Sequence, residues 1–214
     1  MKIFLAIPTI NKLHPTIFKA LFEVTKNTKH DIQLFMISEQ PVDVARNKCV
    51  NAFLHTDCEV LWFLDEDQLP SVDVLDLLEN DFDIIAPLTY IYQGISLIPN
   101  LWMIEKGKRI IKKTDGKQLE QVDACGMGCV FIKRKVLETM NKPYFKTILD
   151  EFSSKVIMSE TFYFFIGCKG KKFKTLVDPR MNCGHIKDFN LDIVAYQMNK
   201  VAHNYIKLIE ELKK

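Results

Sequence analysis

The sequence predicts an α/β fold with a mostly parallel central sheet flanked by helices, a smaller antiparallel part and a C-terminal amphipathic helix. Strand-like apolar runs alternate with helical patterns, which favours a parallel sheet covered by helices. In chain order these segments are a strand at 2 to 7, a helix at 15 to 27, a strand at 32 to 37, a helix at 42 to 55 and a strand at 59 to 64. The regular pattern breaks between 88 and 121, where we expect loops and short antiparallel strands.

Further elements follow from local signals. Pro15 suits the first turn of the first helix, where a missing amide hydrogen does no harm. A helix near 71 to 79 and a short strand at 83 to 87 precede the irregular middle. Gly126 and Gly128 stand just before another buried strand, where glycines permit either a bulge or the close approach of a ligand. Two helices, a strand and a loop come next, at 133 to 140, 158 to 167, 172 to 177 and 182 to 185.

Residues 188 to 214 predict an amphipathic helix that follows a single domain over residues 1 to 187. Apolar residues recur there at spacings of three and four, as they do along one face of a helix. They are Leu191, Val194, Met198, Val201, Tyr205, Leu208 and Leu212. Such a stripe either docks on its own domain or joins two copies of the chain, so a homodimer through residues 191 to 212 is the alternative.

Charge and cysteine content narrow the functional classes. The 29 basic and 27 acidic residues leave a net charge of +2, which is too even to indicate nucleic acid binding. The six cysteines lack CxxC spacing and predict reduced thiols in a cytoplasmic protein. No apolar run approaches the roughly 18 residues that indicate a transmembrane helix. One basic cluster predicts an exposed hairpin: Lys106, Lys108, Arg109, Lys112, Lys113 and Lys117, flanked by Gly107 and Gly116.

A buried strand runs straight into two carboxylates spaced two residues apart, Asp65 and Asp67. Side chains at such positions share a face, so both carboxylates can converge on one hard cation. Two like charges this close repel each other unless something positive lies between them. The pair therefore predicts a divalent-metal site, and the alternative is a solvated acidic turn.

The carboxyl ends of the first three strands are expected to meet at one edge of the sheet. Parallel sheets bind their ligands at this edge. The segments that leave it are Pro8-Thr9, Ser38-Glu39 and Asp65-Glu66-Asp67. We therefore expect all three to face a single crevice.

The order of these motifs resembles that of nucleotide-sugar glycosyltransferases of the GT-A fold, of the small family-2-like type found in phages and bacteria. The likeness spans roughly residues 1 to 187. It rests on Ile7-Pro8-Thr9, Ala45-Arg46-Asn47, Leu64-Asp65-Glu66-Asp67, Asp83-Ile84-Ile85-Ala86, Ala124-Cys125-Gly126-Met127-Gly128-Cys129, Ser159-Glu160, and Asp178 through Cys183-Gly184-His185-Ile186. The resemblance implies a Rossmann-like sheet and an enzyme that moves a sugar from a nucleoside-diphosphate sugar, with UDP-sugars favoured.

The resemblance also implies a metal cofactor. Loss of a nucleoside diphosphate leaves strong negative charge, which a divalent cation screens. In this family the carboxylates of the DxD motif hold manganese or magnesium, and a late histidine completes the shell. Carried over, Asp65 and Asp67 anchor the metal and the diphosphate, and His185 is the third ligand. Imidazole favours manganese, since magnesium prefers oxygen ligands.

Contacts to the donor carry over in the same way. Pro8 and Thr9 stand where the family contacts the nucleoside. Arg46 stands where it contacts the base or a phosphate, which a guanidinium can bind bidentately; the alternative is an exposed helix arginine. Gly126 and Gly128 would let the backbone approach the donor sugar or the acceptor.

The catalytic base departs from the family pattern. Inverting enzymes of this fold often carry a Glu-Asp pair near this helix, and one carboxylate deprotonates the acceptor. Here the pair is Glu160-Thr161, and threonine cannot act as a base. Either Glu160 is the base and acts with Asp67 at the metal, or the enzyme is retaining, or the chain is a non-catalytic nucleotide-sugar-binding or assembly protein. In the aromatic run that follows, Tyr163 is a candidate for stacking on a sugar.

The acceptor stays open at this stage: a glycan, a lipid-linked molecule or another compound. The basic cluster permits an anionic acceptor, such as lipopolysaccharide, teichoic acid or modified DNA, without indicating one. A phosphatase with an aspartate nucleophile fits poorly. That class needs its motif near the amino terminus with a small hydroxyl residue after it, whereas Gln68 stands there in this chain.

Overall fold

A seven-stranded mixed sheet forms the centre of the computed structural model, which describes residues 1–10, 13–26, 28–93, 96–187 and 198–203. The strands are β1 (Lys2–Thr9), β2 (Asp31–Ser38), β3 (Val60–Leu64), β4 (Gln68–Leu69), β5 (Ile84–Leu88), β6 (Tyr90–Gln93), β7 (Ser96–Pro99), β8 (Leu101–Glu105), β9 (Lys108–Ile111), β10 (Glu120–Val122), β11 (Ala124–Cys125), β12 (Cys129–Lys133), β13 (Ile148–Leu149), β14 (Val156–Met158), β15 (Thr175–Asn182) and β16 (Gly184–His185). The helices are α1 (Pro15–Lys26), α2 (Val42–Leu54), α3 (Arg134–Thr139) and α4 (Glu160–Gly170), with a 3-10 helix at Val74–Glu79.

The strand order of the central sheet is β10-β15-β5-β12-β3-β1-β2. Strand β1 lies parallel to both β2 and β3, and β15 lies parallel to β5. Strand β12 runs antiparallel between β3 and β5, and β10 runs antiparallel to β15 at one edge. The mostly parallel sheet and the β-α-β-α-β order of its first half are confirmed.

The inner strands β1, β3, β5 and β12 are buried on both faces, which is why they read as continuous apolar runs. Successive side chains point to opposite faces. In β3, Leu61 and Phe63 pack with α2 and α4, whereas Trp62 and Leu64 pack with α1 and the 3-10 helix. The same alternation through β1 gives the sheet a hydrophobic layer on each side, with the helices as its outer cover.

Two predicted elements differ from the structure. The helix expected at 71 to 79 is a 3-10 helix at Val74–Glu79, in which a short segment buries four apolar side chains; the 3-10 form is common in such short pieces. The segment 182 to 185, expected to be a loop, instead contains the end of β15 and the strand β16. Strand β16 pairs with β4, a two-residue strand with too little local pattern to be predicted.

Half of the basic cluster lies on a hairpin, namely Lys106, Lys108 and Arg109, whereas Lys112, Lys113 and Lys117 follow its second strand. Strands β8 and β9 pair antiparallel, and the turn residues Lys106 and Gly107 have φ values of 48° and 76°. Two-residue hairpin turns of this kind require positive φ, which glycine adopts readily. Lys112 forms an ion pair with Glu120, and Arg109 stacks on the ring of Phe162 at 4.7 Å.

The predicted C-terminal helix lies mostly outside the described residues. Residues 198 to 203 are helical, and Met198 and Val201 on them are each 68% exposed. The remaining positions of the stripe fall in 188 to 197 and 204 to 214, which the structure does not describe. None of the helices in the described ranges is long and apolar enough to cross a membrane.

Candidate active site

A cavity of about 340 Å³ opens at the carboxyl ends of the first three strands. Its lining comes from all three segments that were expected to meet there. The residues are Pro8, Thr9, Ile10, Glu39, Gln40, Pro41, Val42, Ala45, Asp65, Glu66 and Asp67. The predicted crevice is therefore present, with the carboxylates of Asp65 and Asp67 on its wall.

Glu66, which lies between Asp65 and Asp67, connects two walls of this cavity by hydrogen bonds. Its Oε2 accepts a hydrogen bond from the Thr9 hydroxyl and another, of 2.8 Å, from the amide of Ile10. These bonds hold the end of β1 against the turn after β3. Sequence reasoning passed over Glu66, because a carboxylate between two candidate ligands looks like a solvated side chain.

Arg46 lies buried behind the cavity and joins two of the predicted site residues. Its Nη2 donates to both carboxylate oxygens of Asp65, at 3.0 and 2.8 Å, and its Nη1 donates to Glu160. Burial acts to lower the pKa of Arg46, but the charges of Asp65 and Glu160 outweigh burial and raise it. Arg46 is only 4% exposed. In this arrangement the guanidinium positions two carboxylates, and contact with a phosphate would require it to leave Asp65.

Thr161, which stands where the resembled glycosyltransferases often carry an aspartate, takes part in the same network. Its hydroxyl donates to Oε1 of Glu160 at 2.9 Å and lies 3.4 Å from Nη1 of Arg46. Ser159 caps the amino terminus of α4 by accepting from the amide of Phe162. Glu160 is thus held in one orientation from both sides at the start of α4.

Asp67 forms a second cluster with two basic side chains. Its Oδ2 contacts Nε2 of His185 at 3.2 Å and also accepts from the ammonium group of Lys187. Burial would raise the pKa of Asp67, but the hydrogen bonds from His185 and Lys187 lower it to about 2. The bond to Asp67 is likewise the main reason that the pKa of His185 is raised. Lys187 was not identified from the sequence.

The tautomer of His185 follows from its other neighbour. Nδ1 lies 3.2 Å from the carbonyl oxygen of Tyr90, which can only accept, so Nδ1 carries a proton and donates it. The proton on Nε2 is therefore the one that can be lost. The lone pair left on Nε2 would then point at Asp67. A backbone carbonyl that fixes the tautomer in this way is the usual support of a metal-binding histidine.

Backbone pairing brings His185 to Asp67 across 118 residues of sequence. Strand β16 pairs with β4, so that His185 lies opposite Gln68. The amide of Ile186 also donates to the carbonyl oxygen of Asp67 at 2.8 Å. The position of the imidazole is thus determined by main-chain hydrogen bonds and not by side-chain contacts alone.

The donor set fits a divalent cation in part. Asp67 and His185 offer an oxygen and a nitrogen at one point, whereas both oxygens of Asp65 are bound by Arg46. Within the described part of the chain, no group of three or more His, Cys, Asp or Glu side chains could hold a metal by itself. A cation bound here would need its remaining ligands from a diphosphate and from water, as manganese and magnesium commonly do.

Of the two glycines that were expected to let the backbone approach the donor sugar or the acceptor, Gly128 lies against Asp65 and Gly126 lies against Thr89. A Cβ atom on Gly128 would come within 2.8 Å of Cγ of Gln68 and 3.0 Å of Oδ2 of Asp65. A Cβ atom on Gly126 would come within 2.7 Å of the hydroxyl of Thr89. A side chain at position 128 would therefore crowd the turn after β3, and this close approach does not depend on a ligand.

Known structures share this fold. The chain aligns over 88% of its length with 87% of A197 from STIV, at 22% sequence identity and a TM-score of 0.62. It also aligns over 88% of its length with GalNAc-T7, solved with UDP, GalNAc and Mn²⁺, at 16% identity and a TM-score of 0.56. The protein has a GT-A-like fold. The alignment covers 43% of GalNAc-T7, so the chain spans less than half of that protein's length. No model of a known family and no curated protein matches the sequence.

Proposed function

We propose that the protein is a metal-dependent glycosyltransferase that moves a sugar from a nucleoside-diphosphate sugar, with UDP-sugars favoured, to an acceptor hydroxyl. The observation that carries this proposal is the cluster of Asp67 and His185 on the rim of a cavity large enough for a nucleoside. The likeness of the GT-A-like fold to GalNAc-T7, solved with UDP and Mn²⁺, supports it.

The donor is proposed to bind with its nucleoside in the cavity and its diphosphate toward Asp67. Pro8 and Thr9 form one wall for the base and ribose, and Glu66 fixes that wall by its bonds to β1. Asp67 and His185 would hold Mn²⁺ or Mg²⁺, which supplies positive charge to the departing diphosphate. Lys187 already contacts Asp67 and is placed to bind phosphate oxygens as well.

Glu160 is proposed as the base. It would take the proton of the acceptor hydroxyl while the acceptor oxygen bonds to the anomeric carbon of the sugar. The bond from that carbon to the diphosphate breaks, and its electron pair leaves with the nucleoside diphosphate. Arg46 and Thr161 act on Glu160 as positioning residues, because both contact its carboxylate.

A binding protein without turnover is the second candidate. The contact that favours it is the ion pair between Glu160 and Arg46, which occupies the only carboxylate of the Glu160-Thr161 pair. Incubation with Mn²⁺ and a panel of UDP-, GDP- and dTDP-sugars, followed by measurement of released nucleotide, separates the two functions. We expect release from a UDP-sugar. Binding of a nucleotide sugar with no release, even when acceptors are supplied, would establish the binding protein instead.

Glu160→Gln is expected to lower the rate of sugar transfer about 10²–10⁴-fold, the usual contribution of a general base. Glutamine keeps the size of the side chain and cannot take a proton. Affinity for UDP, measured by calorimetry, should stay within about twofold, since Glu160 lies outside the nucleoside cavity. The matched control is Glu138→Gln on α3, which should change neither quantity. Full transfer activity in Glu160→Gln would rule out this role.

Two further properties belong to the proposal. The six cysteines are all free and buried, which supports the proposed cytoplasmic location. A homodimer through residues 191 to 212 remains a prediction that sedimentation of the full chain can test.

A further inference from the structure

The hairpin of β6 and β7 presents an aromatic platform beside the candidate active site. In this antiparallel pair Tyr90 lies opposite Pro99, and Tyr92 lies opposite Leu97. Directly opposite residues and those two apart share a face of a hairpin, so all four side chains point to the same side. Tyr92 and Leu97 are each more than half exposed. The platform is therefore accessible from solvent and made of rings and aliphatic groups.

Polar side chains stand across from this platform. A cavity of about 410 Å³ lies between the two, and this volume is typical of a ligand site. Its lining consists of Tyr90, Tyr92, Leu97, Asn182, Cys183, Gly184, His185 and Lys187. We call this cavity the tyrosine cleft. It offers two aromatic rings on one wall and an amide, an imidazole and an ammonium group on the other.

The tyrosine cleft adjoins Asp67 and His185, the proposed metal ligands, and shares no lining residue with the nucleoside cavity. His185 lines the cleft, Asp67 lines the nucleoside cavity, and the two side chains contact each other at 3.2 Å. A donor with its nucleoside in the first cavity and its diphosphate at Asp67 would leave the cleft to the next molecule. The cleft thus lies where a second substrate would meet the sugar end of the donor.

The chemistry of the cleft suits a sugar ring. A pyranose has apolar faces made of C–H groups and an edge of hydroxyl groups. Flat aromatic rings pack against such faces, and tyrosine adds a hydroxyl for hydrogen bonding. Asn182 and Lys187 can bind hydroxyl groups at the edge. A nucleotide or an acidic polymer would favour several cations here, whereas Lys187 is shared with Asp67.

We propose that the tyrosine cleft binds the acceptor, and that the acceptor is a saccharide whose terminal ring packs on Tyr90 and Tyr92. This inference rests on the proposed glycosyltransferase function and adds the class of its acceptor. It assigns the acceptor to the β6–β7 hairpin and not to the basic hairpin of β8 and β9.

Saturation-transfer NMR on the full-length protein tests the cleft by itself. The probes are the methyl glycosides of glucose, galactose, mannose and N-acetylglucosamine at millimolar concentration. We expect at least one glycoside to receive saturation from the protein, and its affinity to fall about tenfold in Tyr90→Ala and in Tyr92→Ala. Tyr163→Ala tests the other tyrosine that could stack on a sugar, which lines a separate cavity beside α4. The matched control is Phe152→Ala, because Phe152 is an exposed ring outside the cleft. Circular dichroism should show each variant folded as the unsubstituted protein is.

Release of UDP from a UDP-sugar, with and without the bound glycoside, tests the role of the cleft as the acceptor site. The glycoside should accelerate release in the unsubstituted protein. Tyr92→Ala should keep the slow release into water and lose the acceleration. A raised KM for the donor in Tyr92→Ala, with acceleration intact, would assign the cleft to the donor sugar and overturn the proposal.

The remaining outcomes separate the cleft from the proposed function. Equal affinity for the glycoside in both tyrosine variants, loss of binding in Tyr163→Ala alone, or no saturation of any probe would overturn the saccharide cleft. UDP release would still support the transferase in each of these cases. Tyrosine-dependent glycoside binding without release of any nucleotide would retain a saccharide site and reject the transferase.

Discussion

Arg46→Met is expected to lower the free energy of unfolding by about 3 kcal/mol, the lower end of the range for breaking a buried ion pair. The change leaves the carboxylates of Asp65 and Glu160 close together with no cation between them. The lower end applies because the side chain of Asp65 is still 25% exposed. In a chain of this size the melting temperature should fall by roughly 10 °C. Denaturant unfolding at neutral pH measures the change.

Two other variants show whether charge is the cause. Lys48→Met on the same helix breaks an exposed ion pair with Glu39 and should cost less than about 1 kcal/mol. The triple variant Arg46→Met, Asp65→Asn, Glu160→Gln removes the unpaired charges and should regain most of the lost stability. An Arg46→Met protein as stable as the original would mean that this network contributes nothing to the fold.

Asp67→Asn is expected to weaken Mn²⁺ binding by about a hundredfold or more. This loss exceeds the roughly 10–100-fold that is typical when a residue that only supports a metal ligand is replaced. The amide removes the negative charge that draws His185 and Lys187 together. Binding of UDP in the presence of Mn²⁺ should fall with it, since the diphosphate and the protein share the cation. Calorimetry with MnCl₂, and then with UDP, measures both effects.

Asp57→Asn is the matched control for Asp67→Asn, because Asp57 pairs with Lys2 at the surface and lies outside the nucleoside cavity. It should leave both affinities unchanged. If Asp67→Asn binds Mn²⁺ as tightly as the unsubstituted protein, the metal part of the proposed function fails, and the Asp67–His185 contact is only an ion pair.

The first half of the fold was predictable from local pattern. The strands β1 to β3 and the helices α1 and α2 begin and end within a few residues of their predicted bounds, because each apolar run has a clear period and clear breakers on both sides. The 3-10 helix at Val74–Glu79 and the short strands β4 and β16 were not predictable. Their hydrogen bonds depend on distant partners, and a two-residue strand has no period of its own.

The sequence indicated which residue types stand near the candidate site, but not which of them contact each other. Asp65 and Asp67 line the cavity and His185 contacts Asp67. Glu160 lies outside the cavity lining and contacts Arg46, which binds carboxylates where a phosphate or base was expected. Glu66 and Lys187 were missed, although both stand within two residues of assigned positions. Nothing in a linear sequence indicates which of several nearby charges will contact a given carboxylate.

The sequence by itself determined the order of strands and helices, the apolar layers on both faces of the sheet, and the placement of acidic residues at a strand end. These features follow from the periodicity of the apolar residues and from interactions between residues that are close in sequence. Only the tertiary structure decided which basic side chains each acidic residue contacts. Asp65 pairs with Arg46, which also holds Glu160 from 114 positions away, whereas Asp67 faces His185 and Lys187. The reason is physical: charges that are buried wholly or in part are neutralised by whichever counter-charges the packed chain brings near, and that choice is made across the whole fold.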